Sequence, residues 1–171
     1  MSFPTRLFAL VFALAAITSS ALFAAVASGG TQSATAAHTS SIGATVALKT
    51  TALGKVLADA RGRTLYLFLK DRNRQSLCAG SCAQYWPPLL STGKPRAGAG
   101  VRAPLLGVIT RKDGRHQVTY AGHPLYAFVA DTKPGQTNGE GLRNFGATWY
   151  AVGASGRAIK AAASAGGGHG G

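Results

Sequence analysis

Cys78-Ala79-Gly80-Ser81-Cys82 is the segment of this 171-residue chain whose residue types and spacing most readily suggest chemistry. Its two cysteines are the only ones in the sequence and stand four positions apart. In an oxidising compartment such a pair closes into a disulfide, and Gly80 permits the tight bend that brings two Cα atoms to the ~5.5 Å a bridge spans. Closing so small a loop stabilises a fold by about 2 kcal/mol on the chain-entropy account, and it would pin the segment that delivers Trp86. Kept reduced, the same two soft thiolates suit Cu(I). His123 is then the first candidate for a third ligand and His116 the next. The spacing leaves both readings open, disulfide and copper pair.

A second set of chemically able residues is Tyr66, Asp71, Tyr126 and Asp131. A Tyr–Asp pair can do acid–base work, but nothing in the spacing brings these four together, and aromatic residues on a buried strand ordinarily serve the core. The other aspartates, Asp59 and Asp113, also sit in or beside turns, where a carboxylate accepts backbone N–H groups. Five acidic residues in all leave little for paired-carboxylate hydrolysis. The chain has no Gly-rich phosphate loop, no Gly-x-Ser-x-Gly elbow, no His-Glu-x-x-His and no haem-attachment motif. No catalytic residue is assigned, and the expectation is a protein that is not an enzyme and carries no cofactor, copper being the alternative.

The elements that must position these residues read as strands. Lys55–Asp59 and Thr64–Leu69 flank a Gly-containing turn, Ala60-Arg61-Gly62-Arg63. Gly107–Thr110 and His116–Tyr120 flank Arg111-Lys112-Asp113-Gly114-Arg115, and Asp-Gly is a strong hairpin signal. Thr148–Val152 and Arg157–Ile159 flank Gly153-Ala154-Ser155-Gly156. Prolines at 87, 88, 95, 104, 124 and 134 break any long helix. The expected fold is all-β: a single small domain, residues 51–160, made of two pseudo-repeated units. Leu65-Tyr66-Leu67-Phe68-Leu69-Lys70-Asp71 matches Leu125-Tyr126-Ala127-Phe128-Val129-Ala130-Asp131, both reading Leu-Tyr-x-Phe-x-x-Asp. A tryptophan follows each tyrosine, Trp86 after 20 residues and Trp149 after 23. Side chains alternate along a strand, so Tyr66 and Phe68 share one face while Leu65, Leu67 and Leu69 share the other. Both faces are apolar, which predicts central strands covered on both sides.

This repeated signature resembles the bacterial secreted-repeat family with a Yx4D motif, also described as predicted lipoproteins with a Yx(FWY)xxD motif. The similarity covers roughly residues 54–157. It takes in Gly62–Tyr66, Cys78 with Cys82, Trp86-Pro87-Pro88, Gln117–Tyr120, Gly122–Tyr126 and Trp149-Tyr150. The resemblance implies an exported β-rich repeat protein and brings no activity with it. Members that carry a lipid-anchoring cysteine differ from this chain, which has none near its start. The Cys-x-x-x-Cys spacing is also similar to that of exported copper chaperones of the Sco type, but their thioredoxin-like fold does not match this β pattern.

The flanks and the charge complete the reading. Arg6, the apolar run Leu7–Ile17 and the small residues Ala25-Val26-Ala27 have the form of a secretory signal peptide over residues 1–27. Residues 28–50, rich in Ser, Thr, Ala and Gly, read as a flexible linker, and residues 161–171 as a disordered Gly-rich tail. Without Arg6 the mature chain holds 17 basic and 5 acidic residues, a net charge of +12. The expected partner is therefore an anionic lipid or wall polymer of the envelope. Export argues against nucleic acid. The expected location is the periplasm or the exterior, soluble rather than lipid-anchored, with no transmembrane segment once the signal is removed.

Overall fold

A computed structural model describes residues 43–160. The signal-peptide, tail and most of the linker expectations lie outside these residues. Three three-stranded sheets make up the described part. Strands β1 (Thr45–Thr51) and β2 (Gly54–Asp59) form an antiparallel hairpin, extended on one side by β4 (Arg96–Ala97), which runs parallel to β1. Strands β5 (Leu106–Thr110) and β6 (His116–Tyr120) form the corresponding hairpin of the second repeat, extended by β7 (His123–Pro124). Strand β3 (Tyr66–Phe68) pairs with β9 (Ala147–Ala151), which pairs in turn with β8 (Arg143–Asn144). Among the described residues helix is confined to α1 (Ser81–Tyr85) and a 3-10 turn at Ala103–Leu105. The all-β architecture with two repeats is as the sequence indicated.

Two expectations are corrected. Residues 45–50 are not linker: they form most of β1, with Val46 fully buried. The Ser/Thr/Ala-rich run before them hides the strand, in which Val46 is buried and Leu48 packs against the same core cluster. The first hairpin turn closes as expected, Asp59 N–H donating to the Arg63 carbonyl at 3.0 Å and Leu65 N–H to the Leu57 carbonyl at 2.8 Å, but its pairing is short, and β2 pairs along its length with the unexpected β1. The Arg111–Arg115 turn joins β5 to β6 as the Asp-Gly signal predicts, and Thr110 pairs with His116 across it.

Alternation along the repeated strands divides the core in two. Tyr66, Phe68 and Tyr126 enter one cluster with Cys78, Cys82, Trp86 and Trp149. Leu65, Leu67 and Leu125 enter a second with Val46, Leu57, Val118, Tyr120 and Val152. The expected pair of motif strands is corrected too: the first is cut to β3, with Leu69 51% exposed, and Leu125–Val129 is extended chain held by isolated bridges at Tyr126, with Val129 47% exposed.

The last strand of each repeat is exchanged. Phe68 is paired with Trp149 and Tyr66 with Ala151, so the first repeat's motif strand takes its neighbour from the second repeat. Conversely, Tyr126 bridges Pro88, and the Ala127 N–H donates to the Pro87 carbonyl at 2.9 Å. The hairpins follow the same rule: Leu57 N–H donates to the Val152 carbonyl at 2.7 Å and Val118 N–H to the Leu89 carbonyl at 2.8 Å. At the centre Tyr66 and Tyr126 face each other and exchange both backbone hydrogen bonds, at 2.8 and 3.0 Å. The two repeats are thus related by a pseudo-two-fold relationship centred on the tyrosines. The sheet β3-β9-β8 is the one built from both repeats.

Candidate functional site

The tyrosines carry the exchange into the side chains. Tyr66 Oη donates to Asp131 Oδ2 at 2.6 Å, and Tyr126 Oη donates to Asp71 Oδ2 at 2.7 Å. Each tyrosine therefore bonds the carboxylate of the other repeat's motif. The motif spacing explains this. A Tyr at the pairing centre points into the core, and the Asp five residues later, past the strand end, folds back over the partner strand's tyrosine. The second oxygen of each carboxylate holds its own loop, as the turn reading expected: Leu77 N–H donates to Asp71 Oδ1 at 2.8 Å and Asn138 N–H to Asp131 Oδ1 at 2.9 Å.

Burial sets the electrostatics of both dyads. Tyr66, Tyr126 and Asp131 are buried and Asp71 is half-buried. Burial, reinforced by the neighbouring carboxylate, pushes both phenols far above the ordinary tyrosine range. Burial also raises both carboxyls, partly offset by the hydrogen bonds they accept. Each dyad is a phenol donating to one carboxyl oxygen whose second oxygen accepts a backbone N–H.

The dyads differ in what surrounds them. Tyr126 Oη lies 2.7 Å from Ser76 Oγ, which also receives the Arg111 guanidinium. Arg111 further donates to Gln117 Oε1 at 2.6 Å and to the Cys78 carbonyl at 2.7 Å. Arg111, at the start of the Arg111–Arg115 turn, is only 6% exposed and joins Asp71's surroundings to the cysteine loop. No signal in the sequence singles it out from Lys112 or Arg115. The Tyr66 dyad has a backbone donor instead, Gly139 N–H at 3.2 Å from Tyr66 Oη. A side chain at Gly139 would meet Trp86 at 2.7 Å and Tyr66 at 2.9 Å, so the close approach requires glycine.

Between the dyads the aromatic rings stack. Phe68 lies on Trp149 (4.0 Å, 8°), Trp149 on Trp86 (3.9 Å, 2°) and Trp86 on Phe128 (4.3 Å, 25°). Tyr66 meets Trp86 edge-on at 5.3 Å, and Tyr126 meets Trp149 edge-on at 5.1 Å. The equivalence of the tryptophans, read from the repeat, is direct contact.

Cys78 and Cys82 are joined as a disulfide, S–S 2.00 Å with Cα atoms 5.2 Å apart, in the same core cluster. Both thiols of the alternative copper set are therefore engaged with each other. His123 and His116 are exposed on β7 and β6, His116 with Nδ1 3.3 Å from Thr110 Oγ1. Among the described residues no group of three His, Cys, Asp or Glu side chains is placed to hold a metal.

The surface is one-sided in charge. Of the seventeen lysines and arginines in the described residues, fifteen are exposed; of the five acidic residues, Asp113 alone is. Asp113 is held by Arg115 at 2.8 Å, which pulls its carboxyl far below the usual range. Asp59 is occupied by the Arg61 and Arg63 N–H groups and the Arg63 guanidinium, and Glu140 accepts from Ala151 N–H at 2.7 Å. Beside Asp71 a surface cleft of about 290 Å³ is lined by Arg72, Arg74, Gly122 and His123. The residues at its two turns, Asn73 (φ 52°), Arg74 (φ 59°) and Ala121 (φ 49°), are in the left-handed region, which non-glycine residues enter at a cost.

A family model for a secreted repeat of unknown function matches the chain twice, over residues 47–90 and 107–153. The chain belongs to this secreted-repeat family. Its two matched segments are the two units whose last strands are exchanged, and membership makes it an exported protein. No curated protein and no solved structure matches the chain. Among the described residues no helix is long and apolar enough to cross a membrane.

Proposed function

We propose that this secreted-repeat protein is a soluble, non-enzymatic binding module of the cell envelope that contacts an anionic envelope component. The observation that carries the reading is the disposition of charge. The acids are spent on turns, tyrosines and neighbouring arginines, while fifteen cations face solvent. Such a surface attracts polyanions from any approach and releases them as salt rises. The cleft beside Asp71 brings the cations Arg72 and Arg74 of the first repeat against Gly122 and His123 of the second.

Sedimentation with vesicles of anionic phospholipid, and with an anionic wall polymer in parallel, tests the reading. Binding to either that falls steeply with added salt is expected, and Arg72→Ala with Arg74→Ala should weaken it. Absence of binding to both, or binding indifferent to salt, contradicts the proposal.

A further inference from the structure

Four oxidisable rings form an unbroken series of contacts through the protein: Tyr66, Trp86, Trp149 and Tyr126, with centroid separations of 5.3, 3.9 and 5.1 Å. Each end of the series is a phenol already hydrogen-bonded to a carboxylate, at 2.6 and 2.7 Å. We propose that this core is a one-electron sink, in which an oxidising equivalent taken up by the stacked tryptophans comes to rest on Tyr66 or Tyr126 as a neutral tyrosyl radical. The oxidant would be a one-electron species of the envelope exterior, such as an organic peroxyl radical.

The chemistry requires the arrangement found. A peroxyl radical that takes one electron becomes a peroxide anion and is protonated by water to a hydroperoxide. The electron comes from the tryptophan pair, leaving a tryptophan radical cation. Tyr66 refills that vacancy; its O–H bond breaks, and the proton forms an O–H bond to Asp131 Oδ2. The products are a neutral phenoxyl radical and a neutral carboxylic acid. An oxidised phenol that kept its proton would be a cation in a dry core, which is strongly unfavourable. The carboxylate removes that obstacle within an existing hydrogen bond. Asp71 does the same for Tyr126.

Two further features direct the charge. Trp149 Nε1 is buried and has no hydrogen-bond partner among the described residues, whereas Trp86 Nε1 donates to Asn144 Oδ1 at 3.2 Å. A buried unpartnered N–H calls for an explanation beyond packing. An oxidised Trp149 has no nearby base, so it cannot settle by losing a proton and passes the vacancy to a ring that can. Tyr85, exposed at 54%, immediately precedes Trp86 in the chain and lies 5.9 Å from the ring of Phe145, which packs against the aromatic cluster. This inference is independent of the anionic partner.

Pulse radiolysis of the full chain with azide radical, followed by transient absorption and freeze-quench paramagnetic resonance, tests it. The expected result is a tryptophan radical that converts to a tyrosyl radical. In the unsubstituted protein that radical should show a strong coupling to one exchangeable proton, lost in heavy water: the proton now on Asp131 or Asp71. Asp131→Asn with Asp71→Asn should slow the conversion about tenfold or more, since a charge-assisted acceptor is replaced by a neutral one. Tyr66→Phe with Tyr126→Phe should leave the tryptophan radical long-lived. The proposal is overturned if the radical in the unsubstituted protein lacks the exchangeable coupling. It is equally overturned if folded Tyr66→Phe/Tyr126→Phe protein forms tyrosyl radical at the original rate on Tyr85, Tyr120 or Tyr150.

Discussion

Truncating Tyr66 to Phe removes one hydroxyl and leaves Asp131 Oδ2 in the core without its donor. An orphaned buried acceptor of this kind costs about 1–3 kcal/mol, more when it is charged. Tyr66→Phe is therefore expected to lower the unfolding free energy by roughly 2 kcal/mol in urea titration. The carboxylates also set a pH dependence. Asp71 and Asp131 have raised pKa values because burial disfavours their ionised form. A carboxyl whose folded value exceeds its unfolded one holds its proton more tightly when folded. Its contribution is fully present below the unfolded value of about 3.9 and is lost as pH rises through the folded one. Stability should fall across that window, and Asp131→Asn should flatten the fall; an unchanged profile in that variant would count against the buried-carboxylate assignment. Gly139→Ala, which forces a methyl group against Trp86 and Tyr66, should destabilise more than a surface Gly→Ala such as that at Gly141, where a side chain has open space but a positive φ.

Strands and loops carry the next tier. The disulfide closes α1's entry and lies in the aromatic cluster, so Cys78→Ser with Cys82→Ser should cost about 2 kcal/mol by thermal or urea unfolding. Near-ultraviolet and far-ultraviolet circular dichroism should show coupling between the parallel Trp86 and Trp149 rings, abolished by Trp149→Phe. Much of this layer was legible in the chain. Leu-Tyr-x-Phe-x-x-Asp announces a two-faced extended segment ended by a turn-capping carboxylate; both copies divide their side chains between the two core clusters and cap their loops so, but only the first forms a strand, the second keeping isolated bridges at Tyr126. What the sequence could not convey is which strand lies beside which. Spacing fixes Tyr66 and Phe68 to one face, but the strand paired beside them, which carries Trp149, depends on an exchange between segments about eighty residues apart. Arg111 stayed hidden for the same reason: its burial is made by Ser76, Cys78 and Gln117, none of them close in sequence except the last. Strand β1 was missed because the Ser/Thr/Ala-rich run before it hides it.

At the scale of the molecule, the exchange makes the two repeats a single folding unit. Each supplies the closing strand, the stacking tryptophan and the tyrosine's acceptor for the other. Unfolding should accordingly be one cooperative transition, with tryptophan fluorescence and far-ultraviolet circular dichroism coinciding. The central claim, that each motif tyrosine is bound to the carboxylate of the opposite repeat, is tested most directly by a pair of double-mutant cycles on unfolding free energy. Tyr66→Phe combined with Asp131→Asn should show a coupling of about 1–2 kcal/mol, and Tyr66→Phe combined with Asp71→Asn should be additive to within about 0.5 kcal/mol. The reverse pattern, Tyr66 coupled to Asp71 and indifferent to Asp131, would contradict the exchanged architecture.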